Sequence, residues 1–358
     1  MSESKLSRRD FLRLGLLLPA VPPFLSGLLA ACAKRAPEHV VNFFNWSLYI
    51  AKDTLPNFSR ETGIKVNYDV FADEEEMFAK LRSGALGYDL IVATDYLLPR
   101  LQAAHIIEPF PQDQLKNLGN IDAKFLHPPY DPDQQFTVPY LWGSTGIGYN
   151  RKVLPKPPSS WRDLWDEKYK GRIAMLDNAR DCISTALLLL GYPETPGDEK
   201  HLAQAKELLL RQKPLIKQYT SANYVDSLIS GEVALAMAWS GDVLQACKEN
   251  PQLDYVIPKE GSYRYVDSLC LVRGGAHRED TLKLIDYLLR PEVAAGITNT
   301  VRYASPNAAA KPFIEPGLLH DQRVYPQPQM MRRLSFHAPL DAETYTLWNE
   351  TWSDVKTL

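Results

Sequence analysis

The chain has 358 residues, of which 45% are hydrophobic and 23% are charged, and its net charge is −3. This length suffices for two ordinary domains with buried cores, and the composition excludes a disordered, collagen-like or coiled-coil protein. The balance of 40 basic and 43 acidic residues gives no reason to expect a nucleic-acid partner, and four cysteines are too few for a disulfide-built scaffold.

Residues 1–31 have the features of an export signal and are set aside from the fold. The run Ser-Arg-Arg-Asp-Phe-Leu at 7–12 is a twin-arginine pattern, and an apolar stretch follows at 14–31. Its end, Leu-Ala-Ala before Cys32, resembles the cleavage box of a bacterial lipoprotein. The resemblance implies that Cys32 becomes the lipidated first residue of a mature protein held on the membrane. The alternative, an N-terminal membrane helix, is marginal because the stretch has only about 18 residues and contains prolines.

Strand-like and helix-like segments alternate after a short tether. Gly63 and Gly84 are predicted to end two helices, and Asp73 to cap the second of them. The alternation predicts an α/β fold with a largely parallel sheet. Strands are predicted at 40–46, 64–71, 88–93, 147–149, 173–176, 234–239, 253–257 and 268–272. Helices are predicted at 52–62, 74–84, 96–104, 181–190, 199–211, 224–230 and 280–289.

Common signatures of enzymes are absent from the sequence. It has no G-x-x-x-x-G-K-[ST] phosphate loop, no H-E-x-x-H metal helix and no G-x-S-x-G nucleophile elbow. The seven histidines do not pair at metal-ligand spacing, so neither a metal nor a cofactor is expected. Cys182, Cys247 and Cys270 are expected to be buried thiols, and no local signature makes Cys182 or Cys247 a nucleophile.

Aromatic and acidic residues recur where predicted strands end. Ligands of open α/β sheets bind beyond the carboxyl ends of the strands. Ring faces attract ammonium groups by roughly 0.5–2 kcal/mol each, and carboxylates add charge-assisted hydrogen bonds. The pattern therefore predicts a site for an organic cation. The alternatives are packing for each Trp and helix N-capping for Asp95, Asp181 and Asp242. The five segments are 45–49, 94–96, 177–181, 239–242 and 265–267.

Several motifs in matching order resemble the spermidine/putrescine-binding family of bacterial polyamine ABC importers. They include Asn-Trp-Ser-Leu-Tyr-Ile at 45–50, Tyr-Lys-Gly-Arg-Ile at 169–173, Val-Asp-Ser-Leu at 266–269 and Tyr-Ala-Ser-Pro-Asn at 303–307. The resemblance runs from about residue 40 to about residue 340. It implies a type II periplasmic-binding-protein fold, in which two α/β lobes enclose a cleft and close by a hinge. The implied lobes are 39–143 plus 268–312 and 144–267 plus 313–358.

The resemblance also implies what the protein does. It implies a monomeric, extracytoplasmic receptor that captures putrescine or spermidine and delivers it to the permease subunits of an ABC importer without transforming it. Asp267 is the expected main amine anchor. The full set of implied ligand-binding residues is Trp46, Ser47, Tyr49, Thr94, Asp95, Tyr96, Asp181, Trp239, Asp242, Tyr265, Asp267 and Tyr303.

Four positions depart from the family pattern and leave the ligand open. Relatives carry an acid at the position of Leu48, and spermidine binders can carry Asp at the position of Asn178. Trp can stand at the position of Tyr265, and relatives carry a Gln near the position of His337. Asp95 is an additional acid that could compensate for Leu48. Two alternatives therefore stay open. One is a receptor of the same fold for another small organic cation or amino-acid-like solute, and the other is an enzyme on this scaffold.

Overall fold

The computed structural model describes residues 39–84, 87–154, 156–194 and 198–357. The predicted export signal at 1–31 and Cys32 lie outside these ranges. Within them, none of the helices combines the length and apolar character needed to cross a bilayer.

The first part of the chain folds into strands and helices close to the predicted ones. Gly63 ends the first helix with φ of 73°, and the Asp73 carboxylate accepts a hydrogen bond from the N–H of Glu76, as a helix cap does. The three main strands are parallel in the order β2-β1-β3. The elements are β1 Val40–Trp46, α1 Thr54–Thr62, β2 Lys65–Phe71, α2 Glu74–Arg82, β3 Leu90–Thr94, α3 Leu98–Ala103 and β4 Ile107–Glu108.

The middle part of the chain forms a second group of parallel strands, in the order β8-β6-β7. The elements are β5 Val138–Asn150, β6 Ile173–Met175, α4 Ala179–Leu190, α5 Glu199–Gln212, β7 Ile216–Tyr219, α6 Tyr224–Ser230, β8 Leu235–Trp239, α7 Ser240–Glu249, β9 Leu253–Val256 and β10 Ser262–Val272.

The long strands β5 and β10 join the two groups. They pair with each other antiparallel, and β10 also pairs antiparallel with β3 while β5 pairs antiparallel with β8. The sheet is therefore mixed, and the expectation of a largely parallel sheet is correct only within each group. Antiparallel pairing arises because these two strands pass between the groups in opposite directions. The implied lobe boundaries at 143/144 and 267/268 fall inside these crossing strands.

The last third of the chain covers both groups. The final helix contributes Trp348, Trp352 and Val355 to the core that surrounds β6 and β8. Cys182 and Cys270 are buried free thiols, and Cys247 is half-buried. The remaining elements are α8 Arg278–Leu288, α9 Pro291–Val301, α10 Pro316–Leu319, α11 Pro328–Met331, β11 Leu334–Ser335 and α12 Ala342–Thr357.

Candidate functional site

Aromatic side chains from the two strand groups meet where β1 and β8 end. Trp46 is the last residue of β1, and Trp239 is the last residue of β8. Their ring centroids lie 5.9 Å apart with the planes at 64°, an edge-to-face arrangement. The two predicted Trp residues are thus brought together across the line between the groups.

Asp267 lies in the middle of β10, directly opposite Thr94 on β3. The predicted position at a strand end was wrong, because β10 extends six residues beyond the expected start at 268. The Asp267 carboxylate is 3% exposed and accepts hydrogen bonds from the hydroxyl groups of Thr94, at 2.7 Å, and Tyr49. Burial raises the pKa of Asp267 to about 6, although the two hydroxyl donors oppose the shift. A cation beside this carboxylate would favour its ionised form.

Asp242 is held by two tyrosines on the other side of the crossing strands. The hydroxyl groups of Tyr224 and Tyr303 each donate to it at 2.7 Å. Burial raises the pKa of Asp242, and the two donors oppose the rise. The Tyr303 ring packs edge-on against Tyr49 with centroids 4.8 Å apart, so this second carboxylate belongs to the same aromatic site. Tyr224 was not predicted, because nothing in the sequence of α6 distinguishes its hydroxyl from that of an ordinary core tyrosine.

Asp181 is surrounded by donors. The Thr145 hydroxyl donates to it at 2.6 Å and the Trp239 indole N–H at 3.1 Å, and His337 Nε2 lies 3.7 Å away. His337 Nδ1 also lies 3.0 Å from Glu194. Burial lowers the pKa of His337, but the two carboxylates outweigh it and bring the pKa to about 9. Asp181 therefore faces an imidazolium within the protein.

Asp95 has a structural role in this geometry. It is 4% exposed, and its two oxygens accept from the backbone N–H groups of Tyr96, at 2.7 Å, and Val266, at 3.1 Å. The carboxylate thereby ties the end of β3 to β10. Burial raises its pKa to about 7. Leu48 is 75% exposed, so this position presents its side chain to solvent. The expected compensation for Leu48 by Asp95 stays a prediction.

The capping alternative for the three acids is wrong. Asn178 caps α4 by accepting from the N–H of Asp181 at 3.0 Å. The positions that precede α3 and α7 are Leu97 and Trp239, and neither helix has a side-chain cap. Asp95, Asp181 and Asp242 are therefore not explained as helix caps.

The other predicted residues differ in how close they come to the site. The Tyr96 hydroxyl accepts from Asn178 at 3.2 Å and so connects the two strand groups. Tyr265 is buried, and its hydroxyl has no hydrogen-bond partner among the described residues. Ser47 is exposed and its hydroxyl lies 3.4 Å from the Phe71 carbonyl oxygen, so it is not drawn into the buried cluster.

Glu74, at the start of α2, was missed by the sequence analysis. It is 7% exposed, and its carboxyl group lies beside the hydroxyl groups of Thr94 and Tyr96. Burial raises its pKa to about 8, opposed by these two hydroxyls. Three successive glutamates at a helix N-terminus are typical of a solvated surface that favours the helix dipole, so the sequence contained no signal for a buried one.

A cavity of about 450 Å³, called the outer cavity below, is lined by Trp46 and Trp239. Glu74, Arg180 and Trp352 of α12 also line it. Asp267 and Asp242 are not among its lining residues. Among the described residues, no group of three or more His, Cys, Asp or Glu is placed to hold a metal ion.

Comparison with known proteins gives consistent matches. Residues 87–324 match the family model of the bacterial extracellular solute-binding proteins. The chain is 35% identical to the spermidine/putrescine-binding periplasmic protein of Salmonella typhimurium over 85% of this chain and 88% of that protein. It superposes with a TM-score of 0.77 on a spermidine/putrescine ABC transporter substrate-binding protein of Streptococcus pneumoniae, at 28% identity over 89% and 98% of the two chains. A lipoprotein of Treponema pallidum gives a TM-score of 0.77 at 27% identity, over 88% and 99%.

Proposed function

Because the chain belongs to the bacterial extracellular solute-binding protein family, we propose that it captures a polyamine outside the cytoplasm and delivers it to an ABC importer. The observation that carries the proposal is the placement of Asp267. Its carboxylate is buried and accepts from Tyr49, whose ring packs against Tyr303, and Tyr303 donates to a second, half-buried carboxylate, Asp242. The relative from Salmonella typhimurium is named for binding spermidine and putrescine, which agrees with this chemistry.

The site suits a flexible chain that carries two or more ammonium groups. Each of these two carboxylates can accept a charge-assisted hydrogen bond from an ammonium group, and the tyrosine and tryptophan faces can pack on the methylene groups between them. The Tyr265 hydroxyl, which has no hydrogen-bond partner among the described residues, adds one more polar group to the same walls. A dication would ionise both acids and stabilise the closed arrangement in which Trp46 contacts Trp239.

The enzyme alternative is not supported. A solute-binding protein releases its ligand unchanged, and the family thereby confirms the expectation that the chain is not an enzyme. Cys182, the nucleophile that the alternative requires, is fully buried, and its thiol donates to the Leu176 carbonyl oxygen at 3.2 Å. Burial, together with the adjacent Asp181 charge, raises the pKa of this thiol well above its usual range, so the reactive thiolate is disfavoured.

The mode of attachment to the membrane is part of the proposal. The twin-arginine run at 7–12 would direct export, and acylation of Cys32 would hold the monomer on the outer face of the cytoplasmic membrane. A relative in Treponema pallidum is itself a lipoprotein. Cys32→Ser should move the protein from the membrane to the soluble fraction and abolish its labelling by a radioactive fatty acid. Unchanged labelling would contradict lipidation at Cys32.

One observation favours a second candidate ligand. The imidazolium of His337 pairs with Asp181, so this end of the site offers one acid fewer to an ammonium group of the ligand. Such an end suits an amino-acid-like cation that carries a carboxylate or carbonyl group, rather than a second ammonium group. Arginine therefore belongs in the ligand screen alongside the polyamines.

The test is calorimetric titration of the chain truncated before Cys32 with putrescine, spermidine, cadaverine and arginine. We expect micromolar or tighter binding of at least one polyamine and loss of that heat in Asp267→Ala. Binding of arginine alone would favour the second candidate. A folded protein that gives heat with none of the polyamines would refute the proposed function.

A further inference from the structure

Glu74 is a buried acid that has no cationic partner within the described part of the chain. Only 7% of the residue is exposed, and one carboxylate oxygen, Oε1, has no hydrogen-bond partner there. None of the ion pairs found in those ranges includes it, whereas its neighbour Glu75 pairs with Arg100 at 2.6 Å. Burying a carboxylate that has no partner costs free energy, and buried carboxylates are normally paired with a cation.

Helix capping does not account for Glu74. The cap of α2 is Asp73, which accepts from the N–H of Glu76 at 2.9 Å. Attraction to the helix dipole contributes only about 0.3–1 kcal/mol at such a position, and an exposed side chain would gain it equally well. Burial of the Glu74 carboxyl group therefore needs a different explanation.

The position of Glu74 connects the buried site with the outer cavity. Its carboxyl group lies beside the hydroxyl groups of Thr94 and Tyr96, and close enough to Asp267 for the two charges to interact. Thr94 donates to Asp267, so one residue touches both acids. Glu74 also lines the outer cavity of about 450 Å³ together with Trp46. The acid thus stands where a chain leaving Asp267 would enter that cavity.

We propose that Glu74 is a ligand-binding residue that accepts an ammonium group of the polyamine, so that the site extends from Asp267 into the outer cavity. This inference rests on the proposed function. A ligand ammonium group is the cation that Glu74 lacks, and Trp46 and Trp239 supply ring faces beside the path between the two acids. Ligands with an additional aminopropyl group would use the outer cavity, so spermidine gains more from Glu74 than putrescine does.

Proton release gives this contact its own signature. In the free protein the pKa of Glu74 is raised to about 8, so at pH 7 most of the molecules carry a proton there. Pairing with an ammonium group favours the carboxylate, and the proton leaves on binding. Binding should therefore strengthen as the pH rises from 6 to 8. The ionisable groups that lie beside Glu74 or line the same cavity are Asp73, Glu75, Tyr96, Asp177, Arg180, Asp267, Tyr345 and Lys356.

The test compares Glu74→Gln with Glu76→Gln in the truncated chain. Both remove one acid from the first turn of α2, but Glu76 is exposed, pairs with Lys80 at 2.7 Å and does not line the cavity. Calorimetry with putrescine and spermidine should show roughly 10- to 100-fold weaker spermidine binding in Glu74→Gln and about the wild-type affinity in Glu76→Gln. Repeating the titration at pH 7 in two buffers of different ionisation enthalpy should show about one proton fewer released in Glu74→Gln. Thermal melting without ligand checks that both variants fold.

The outcomes separate this inference from the proposed function. If the wild-type chain binds none of the polyamines, the proposed function itself fails. If the wild-type chain binds spermidine and Glu74→Gln retains either its affinity or its proton release, the proposed function stands and the role of Glu74 is overturned.

Discussion

Replacing Asp267 by Asn should remove most of the affinity for polyamines while leaving the protein folded. The substitution keeps the volume of the side chain and one oxygen that can accept from Tyr49 or Thr94. It removes the negative charge that pairs with the ligand. Loss of one partner from a buried charge pair costs about 2–5 kcal/mol, or roughly 30- to 5,000-fold in Kd. We expect the upper part of this range, because Asp267 is 3% exposed and solvent does not screen the pair.

The same substitution should not destabilise the protein without ligand. Burial raises the pKa of Asp267 from 3.8 to about 6, so keeping it ionised at pH 7 costs the folded state about 3 kcal/mol. A neutral Asn avoids that cost. The free energy of unfolding of the ligand-free variant should therefore equal or exceed that of the wild-type chain, which distinguishes a binding defect from a folding defect.

The assay is calorimetric titration with putrescine and spermidine, accompanied by urea unfolding in the absence of ligand. Asp113→Asn serves as the matched control, because it makes the same chemical change at an exposed position of the same chain. The control should bind like the wild-type chain. Polyamine affinity within threefold of wild type in folded Asp267→Asn would refute the role of this carboxylate as the main anchor.

Three further predictions follow from the same geometry. Affinity for polyamines should fall as the pH drops from 7.5 to 5, by up to about tenfold per pH unit below 6, because Asp267 must lose its proton to bind the ligand. Over the same interval the ligand-free chain should gain stability, because the pKa of Asp267 is higher in the folded state than in the unfolded state. Gly241→Ala should cost about 1–3 kcal/mol of stability in urea unfolding and weaken binding, because the added Cβ would lie 2.2 Å from the Tyr303 ring. In the control Gly296→Ala, on α9, the added Cβ meets nothing within 4 Å, so this variant should be neutral or stabilised by up to about 1 kcal/mol. Trp239→Phe should bind polyamine more tightly than Trp239→Ala in calorimetry, because Phe keeps a ring face worth roughly 0.5–2 kcal/mol to an ammonium group.

Local features of the sequence predicted most of the elements, but they predicted only parts of the two crossing strands, β5 and β10. Gly63 and Asp73 mark helix ends through their own backbone and side-chain chemistry, which the sequence displays directly. In β5, by contrast, only 147–149 of the observed Val138–Asn150 was predicted as strand, and the segment contains three glycines. These glycines are required by neighbours distant in sequence: a Cβ on Gly146 would lie 2.5 Å from Tyr255, and one on Gly148 would lie 2.9 Å from Val243.

The residues of the candidate site also fall into two groups, those that local features of the sequence predicted and those that were missed. Residues that end strands, such as Trp46 and Trp239, were predicted because strand ends converge in an α/β fold. Glu74 and Tyr224 were missed because their importance depends on burial against other segments. The pairing of His337 with Glu194 across 143 residues of sequence was equally invisible, because a charge cluster of this kind exists only in the folded chain.

The positions of the acids that lack a cationic partner explain how a polyamine would close the cleft. Asp181 faces the imidazolium of His337 and so has a cation within the protein. Asp242 and Glu74 have none among the described residues, and they follow β8 and β2 on opposite sides of the crossing strands that carry Asp267. One small molecule reaches both only when the two strand groups are in contact. A ligand shifts an equilibrium by the difference in its affinity for the two states, so on the proposed function the second ammonium group supplies the free energy of closure. A monoamine that binds Asp267 alone should therefore bind weakly and leave the cleft open.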